Sequence, residues 1–328
     1  MSNRQIRRFT SSDADYAAQA ALRKAINPAS PMTVEKLKFW DEWWDTQYRR
    51  AQFVVESAGH LVALGHYEEW IWWYEPGRYY LNLEVHPAFR RQGIGSELYT
   101  HLMSTLAAEE PQGRIVMAKC REDQPETVRF LTQRGFQQTG RELFSELDVT
   151  TVDSHRLLAA QERMRHQGIT IVAYPELAAA DPACQRKCYE LQGESMTGMP
   201  AGGERTRQSF AQFVQQIFEN TAFIPAAFFV ALDQGRYVGM SNLTNENDDP
   251  TRLATDYTGV LPSHRRRGIA TALKLHCLEY AKANGVKTIT TSNDVTNPMY
   301  QLNLDLGFTP MPATLYFELR LPAEGGAV

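Results

Sequence analysis

One short segment occurs twice in this chain and limits what the chain can fold into. Residues 85–95 read VHPAFRRQGIG and residues 260–270 read VLPSHRRRGIA, with Arg90 and Arg265 separated by 175 positions. An alternating, strand-like run precedes each copy and a helix-like run follows it. This order predicts a strand, a tight turn and a helix N-terminus. A Gly-Phe pair follows at a similar distance in each case, at residues 135–136 and 307–308. The chain is therefore predicted to be one structural unit used twice.

A turn of this composition is suited to binding an anion. Its glycines allow the backbone to turn tightly and to approach a ligand closely. The first amides of the following helix have no intrahelical partner, and the helix dipole adds partial positive charge there. These features favour phosphate, and the flanking arginines add charge that does not titrate away.

The glycine spacing is that of a known family. Arg90, Gly93 and Gly95 form Arg-x-x-Gly-x-Gly, and Arg265, Gly268 and Ala270 form Arg-x-x-Gly-x-Ala. This pattern, in its strand–helix setting, resembles the acetyl-CoA loop of the GNAT superfamily of N-acyltransferases. The resemblance covers nearly the whole chain as two tandem copies, similar in layout to mycothiol synthases. It implies an acetyl-CoA co-substrate bound by Val85, Arg90, Arg91, Gln92, Gly93, Ile94, Gly95, Ser96, Val260, Arg265, Arg266, Arg267, Gly268, Ile269, Ala270, Thr271 and Asn297.

Composition excludes several other classes of protein. The 328 residues are 43% hydrophobic and 22% charged, with net charge −4 and pI near 6.1. This balance fits a globular protein and gives no sign of a nucleic-acid partner. No membrane-spanning run or apolar leader is present, so we expect a cytoplasmic protein without a membrane partner. We expect the four cysteines to be reduced, with no metal site. The expected state is a monomer or homodimer.

The expected fold class is α/β, with two tandem GNAT domains at 1–150 and 151–328. The polar run 148–154 marks the boundary. The resemblance implies that each domain is a mixed central β-sheet flanked by helices, with a splayed strand pair at the acetyl-CoA site. Strands at 136–139 and 141–147 are expected to complete the first sheet, and a strand at 315–319 the second.

The family resemblance also implies a direct reaction without a covalent enzyme intermediate. The main-chain groups of Val85 and Val260 would pair with the pantetheine arm as an added strand does, and an amide there could polarise the thioester carbonyl. The acceptor amine, a small molecule, would attack the thioester directly. The protein would then supply mainly position and proton handling.

The catalytic base is predicted among carboxylates on the strands before the loops. Alignment of Val85 with Val260 places Asp256 opposite Leu81, and Glu84 opposite a glycine, so the copies share no carboxylate position. The strand period of two places Asp256 on the face of Val260. Either carboxylate could instead be a solvated surface charge.

The usual general acid of the family is absent from this sequence. Many family members carry a tyrosine four residues before the Gly-Phe pair, where this chain has Leu131 and Asn303. Asn303 can donate a hydrogen bond but cannot act as an acid. Tyr300, one helical turn earlier, could substitute, although it could equally be a packed helix tyrosine. Asn297, before a proline, is read first as a helix cap and second as a cofactor contact.

These patterns favour the C-terminal copy for chemistry, because its last helix carries Asn297, Tyr300 and Asn303. A second interpretation uses the N-terminal copy, with Glu84 and an aromatic groove that includes Trp72 and Trp73. A third makes the protein a non-catalytic acetyl-CoA sensor or scaffold. The glycine-rich stretch 193–204 is either a linker or a lid over the site.

Overall fold

The structure is a computed structural model and describes residues 4–28, 32–71, 74–197, 206–245 and 249–321. Trp72, Trp73 and residues 198–204 of the glycine-rich stretch lie outside the described residues.

The described chain divides into two compact units. The N-terminal unit contains the residues up to Arg141, together with Thr206 and the segment from Thr314. The C-terminal unit contains the remainder, from Glu142 to Ala313.

The N-terminal unit is a mixed sheet with helices on both faces. Its strand order is β1-β2-β3-β4-β5-β12. Only the β4–β5 pair is parallel, and the other pairs are antiparallel. Helix α3 packs against β3 and β4 on one face, and α1 packs against the same strands on the other face. The elements are β1 (Arg4–Arg8), α1 (Asp13–Ile26), α2 (Val34–Trp43), β2 (Arg50–Ser57), β3 (His60–Glu69), β4 (Arg78–Val85), α3 (Ile94–Glu109), β5 (Ile115–Arg121), α4 (Pro125–Thr132) and most of β12 (Thr309–Arg320).

The C-terminal unit repeats this plan. Its strand order is β7-β8-β9-β10-β11-β6, and here the parallel pair is β10–β11. Helix α9 takes the place of α3, and α7 packs against β9 and β10. The elements are most of β6 (Gln137–Asp148), α5 (His155–His166), β7 (Ile169–Ala173), α6 (Tyr174–Ala180), α7 (Cys184–Ser195), α8 (Phe210–Ile217), β8 (Phe223–Asp233), β9 (Arg236–Thr244), β10 (Arg252–Val260), α9 (Ile269–Ala283), β11 (Thr288–Asp294) and α10 (Met299–Asp305).

The strands that follow the two Gly-Phe pairs are exchanged between the units. Residues 142–148 of β6 pair with β11, and residues 314–320 of β12 pair with β5. This corrects the expectation that 141–147 would complete the first sheet and 315–319 the second. A strand pairs with whichever edge its side chains fit, and periodicity alone does not identify that edge. The division at residue 150 stays a prediction about where the repeat restarts.

Local sequence signals account for most of the elements. The Ser12 side chain accepts a hydrogen bond from the Asp15 amide and caps α1, and Thr33 caps α2 in the same way. The β2–β3 hairpin turns at Ala58 and Gly59, both with positive φ. Strand β1 and helix α6 were not predicted, because each is short and lacks clear periodicity.

Both parallel pairs splay, which confirms the expected sheet geometry. In the N-terminal unit the β4–β5 pairing stops at Tyr80 and Met117, although both strands continue. In the C-terminal unit the β10–β11 pairing stops at Ala254 and Thr290. Each unit therefore has a V-shaped opening between its two parallel strands, and the glycine turn follows the first arm.

The two openings differ by one residue. Strand β10 has a bulge between Thr255 and Tyr257, so that Asp256 is the extra residue, whereas β4 pairs with β3 without a shift. A bulge leaves its extra residue unpaired and alters the alternation of side chains.

Among the described residues, no helix is long and apolar enough to cross a membrane.

Candidate active site

The N-terminal loop has the geometry of an anion site. Gly93 adopts φ 85° at the N-cap of α3, and no side chain caps the helix there. A β-carbon at Gly93 would meet no atom within 4 Å, so the space above the helix N-terminus is open. Ile94 is 1% exposed and anchors the helix in the core, so its backbone amide is what it can offer a ligand. These features fit a phosphate group.

Neighbouring side chains hold this loop in place. Arg4 donates to the Gln92 carbonyl at 2.9 Å, and Arg134 donates to the Ser96 hydroxyl at 2.7 Å. Arg90 Nε donates to the Val85 carbonyl at 3.1 Å, which leaves that oxygen one lone pair for another donor. Arg91 is exposed and has φ 62°, a left-handed conformation that turns the loop.

The C-terminal loop has the same backbone but a more crowded setting. Gly268 has φ 83° at the N-cap of α9, and Arg266 has φ 63°. A β-carbon at Gly268 would lie 3.2 Å from Arg163 Nη1, on α5. The start of α9 is therefore partly covered, in contrast to the start of α3.

Two arginines of the C-terminal loop already have protein partners. Arg265 donates to the carbonyls of Val260, Ser195 and Thr197 at 3.3, 2.9 and 3.2 Å. Arg267 donates to the Gln167 side chain at 3.0 Å and to Asp233 at 3.3 Å. These contacts stabilise the loop and reduce the number of donors that are free for a ligand.

A polar surface lies at the N-terminal opening, on the sheet face opposite α3, and we call it the α1 face. Glu68 pairs with Tyr80 and His66 pairs with Asn82 across β3 and β4. Side chains that directly oppose each other share a face, and Glu84 belongs to the same face by the period of two. The face is the one that α1 covers, since Arg23 of α1 donates to Glu84 at 3.1 Å.

Burial shifts the pKa values of three titratable groups on the α1 face. Desolvation raises the pKa of Glu68, although Arg50 and Lys119 oppose the shift. Desolvation also lowers the pKa of His66 to about 3, so the imidazole is neutral at pH 7. The Tyr80 phenol is buried and its pKa is raised, so it stays protonated.

Glu68 and Glu84 differ in how they are paired. Glu84 accepts from Arg23 at one oxygen and from Asn82 at the other, both at 3.1 Å. Glu68 lies 3.7 Å from Arg50 Nε and 3.8 Å from His66 Nε2, beyond good hydrogen-bond distance, and its side chain is 24% exposed. Glu68 therefore has longer contacts with its charged neighbours than Glu84 has.

The corresponding face of the C-terminal unit lacks these groups. The two units can be aligned by matching the pair Val85–Ala63 to the pair Val260–Gly239. In this alignment Asn242–Tyr257 takes the place of His66–Asn82. Thr244–Ala254 takes the place of Glu68–Tyr80. The Tyr257 hydroxyl lies 2.8 Å from Ser195 Oγ, and its ring covers Gly259, the counterpart of Glu84. Asp256, on β10, is a carboxylate near this opening.

The structure corrects the face expected for Asp256. Its carboxylate accepts from the Asn242 amide at 3.0 Å, whereas Thr258 bonds Ser241 beside Cys277 of α9, on the other face. The bulge is the cause, because an extra residue breaks the period of two. Asp256 is exposed.

The polar residues of α10 have structural contacts. Asn303 is 0% exposed and donates to Asn293 at 2.7 Å, while its own Oδ1 has no partner among the described residues. The Asn297 side chain accepts from the Met299 amide at 2.9 Å, and Asn297 lies one residue before the N-cap, Pro298. Tyr300 is half-buried on the same helix.

Sequence reasoning missed His66, Glu68 and Tyr80. The alternation of β3 and β4 was visible, but which of their faces meets at the opening depends on strand pairing. Only the register of β3 against β4 brings these residues together.

Comparison with known proteins agrees with this geometry. The model of the Acetyltransferase (GNAT) family matches residues 19–136 and 186–306, which is more than half of the chain. No curated protein sequence matches.

Two solved structures share the fold along almost the full length of both chains. One is a tandem GNAT protein from the clavulanic acid biosynthesis pathway, with 18% identity and TM-score 0.74, covering 98% of this chain and 100% of that one. Another is a GCN5-related N-acetyltransferase from Sphaerobacter thermophilus, with 17% identity and TM-score 0.65, covering 97% and 95%. The chain therefore belongs to the acetyltransferase (GNAT) family, whose donor is acetyl-CoA, and it has the tandem form with two GNAT units in one polypeptide.

Proposed function

We propose that the protein transfers the acetyl group of acetyl-CoA to a primary amine by direct attack in a ternary complex. We assign the reaction to the N-terminal unit. The observation that supports this choice is the α1 face, where Glu68, His66 and Tyr80 lie at the opening, while the same positions of the C-terminal unit are Thr244, Asn242 and Ala254.

The N-terminal loop would hold the donor. The phosphates would bind at the α3 N-terminus with Arg91 alongside, and the pantetheine arm would lie along the free edge of β4 beside Val85. When bound, the donor supplies a thioester carbonyl carbon that an amine can attack. The open space at Gly93 supports this placement.

Glu68 would take the proton from the incoming ammonium. A carboxylate with a raised pKa is a stronger base than an ordinary one. Glu84 is already engaged by Arg23. The reaction forms a C–N bond and breaks the C–S bond, so one proton leaves the amine and one goes to the leaving thiolate. Leu131 replaces the family tyrosine here. We propose that the Tyr80 phenol, which stays protonated, donates a hydrogen bond to the leaving sulfur, and that the thiolate takes its proton from solvent.

The C-terminal loop, with Arg265, Arg266, Arg267 and Gly268, would bind CoA without turnover. Catalysis there by Asp256, Tyr300 and Asn303 is the alternative within the same class. The burial of Asn303 and the bond between the Asn297 side chain and the Met299 amide argue against it. A sensor that binds acetyl-CoA without turnover is the alternative from another class.

The test is a panel of amines incubated with acetyl-CoA, with products identified by mass spectrometry and thiol release followed in parallel. Glu68→Gln should lower kcat about 100-fold or more, while the matched variants Glu84→Gln and Asp256→Asn should retain most activity. A loss confined to Asp256→Asn would move the reaction to the C-terminal unit. Tight acetyl-CoA binding with no acetylated product would favour the sensor.

A further inference from the structure

Lys119 lies on β5, in the part of the strand that has separated from β4 at the N-terminal opening. It is two residues beyond Met117, the last β5 residue that pairs with β4. Val116, Ala118 and Cys120 point into the core beneath α3. The period of two therefore places Lys119 on the α1 face. Its Nζ lies 5.5 Å from the centre of the Tyr80 ring, which confirms that position.

Lys119 is the cation on this face that has no ion pair among the described residues. The neighbouring arginines are paired: Arg23 with Glu84, Arg50 with Asp41 at 2.7 Å, and Arg121 with Asp123 at 2.7 Å. Lys119 is exposed, so its ammonium group is accessible from the opening. A positive charge thus faces Glu68 across the space between the two arms.

The cation at Lys119 favours an anionic group on the acceptor. Arg23, Arg50 and Arg78 on the same face have carboxylate partners in Glu84, Asp41 and Glu318. Lys119 is therefore the charge that a ligand would neutralise. A carboxylate on the acceptor would neutralise that charge, whereas a second ammonium group would be repelled.

The C-terminal unit does not repeat this arrangement. Arg78–Ile115 and Arg252–Thr288 begin the two parallel pairs, so the counterpart of Lys119 is Ser292. The Ser292 hydroxyl donates to Glu142 at 2.7 Å. The unpaired cation is therefore a feature of the unit to which we assign the chemistry.

We propose that the acceptor is an amine that also carries a carboxylate, such as an amino acid, and that Lys119 binds this carboxylate while Glu68 receives the proton of the amine. The inference rests on the proposed function and names the substrate class of that same site.

The experiment compares matched acceptors, such as β-alanine with β-alaninamide and 4-aminobutyrate with its amide, at saturating acetyl-CoA. Wild-type protein should show kcat/KM about tenfold or more higher for the acids. Lys119→Met should remove that preference by lowering kcat/KM for the acids more than for the amides, and Lys119→Glu should shift the preference towards diamines. The ratio of acid to amide cancels any effect of Lys119 on the pKa of Glu68. Lys24→Met, an exposed lysine on α1, is the matched control and should leave the ratio unchanged.

Two results would overturn the inference. Equal kcat/KM for acids and amides in the wild type, or an equal loss for both in Lys119→Met, would refute the role of Lys119 and leave acetyl transfer to amines standing. Acetylation of no amine at all would refute the proposed function, and this inference with it.

Discussion

At the residue scale, the two units use the same strand positions for different purposes. His66 and Glu68 in the N-terminal unit have Asn242 and Thr244 as counterparts, so titratable groups are replaced by neutral ones on the same sheet face. A buried titratable group reduces stability at some pH. For His66, the loss of unfolding free energy at low pH can be measured.

His66→Asn, which copies the C-terminal unit, should make the protein less sensitive to acid. The pKa of His66 is lowered by burial from 6.5 to about 3. Between these values the unfolded chain binds a proton and the folded chain does not, so stability falls as pH falls below about 6.5. The wild type should lose about 2 kcal/mol between pH 8 and pH 5 through this residue. Urea unfolding at several pH values measures the difference; the same pH dependence in both proteins would show that folding does not lower the pKa of His66.

The pH dependence of turnover should report Glu68. Because desolvation raises its pKa, the acid limb of kcat/KM should lie above 4.5, the ordinary value of a glutamate. Activity is lost as pH falls through that limb, since a protonated carboxyl cannot accept the ammonium proton. Lys119→Met removes a charge that lowers this pKa, so the limb should move to higher pH. An unchanged limb would assign it to a different group.

At the element scale, most of what positions the site could be predicted from the sequence. The two glycine turns and the helices after them depend on local patterns that occur twice in the chain, whereas the splayed strands were implied by the family resemblance. The bulge at Asp256 could not be predicted, because an extra strand residue is visible only against its partner. The α1 face and the exchange of β6 and β12 were missed for the same reason, since strand pairing is a non-local property.

The strand exchange predicts crossed effects of two core substitutions. Phe317, near the C-terminus, is 1% exposed in the core of the N-terminal unit, and Leu147 is 1% exposed in the core of the C-terminal unit. Phe317→Ala should cost about 3–5 kcal/mol and Leu147→Ala about 2–5 kcal/mol. Hydrogen exchange should show lost protection in β5 for the first variant and in β11 for the second. Lost protection in the opposite strands would show that no exchange occurs.

At the scale of the whole molecule, the sequence repeat and the compact units do not coincide. A fragment of residues 1–150 lacks the strand at 314–320, which pairs with β5 over its full length. It should therefore show no cooperative unfolding transition on its own. Adding residues 151–328 as a separate chain should restore one. A fragment that unfolds cooperatively alone would mean that the first repeat completes its own sheet.

The division of labour between the units is the central claim, and one matched pair of variants tests it most directly. Arg91 and Arg266 are exposed, occupy equivalent left-handed positions and flank the two helix N-termini. Aspartate tolerates that backbone conformation and reverses the charge. The measurement is kcat/KM for acetyl-CoA in Arg91→Asp and in Arg266→Asp. We expect a loss of about tenfold or more for Arg91→Asp and turnover within about twofold of the wild type for Arg266→Asp, because the C-terminal loop serves binding alone. The opposite pattern would place acetyl transfer in the C-terminal unit and refute the assignment.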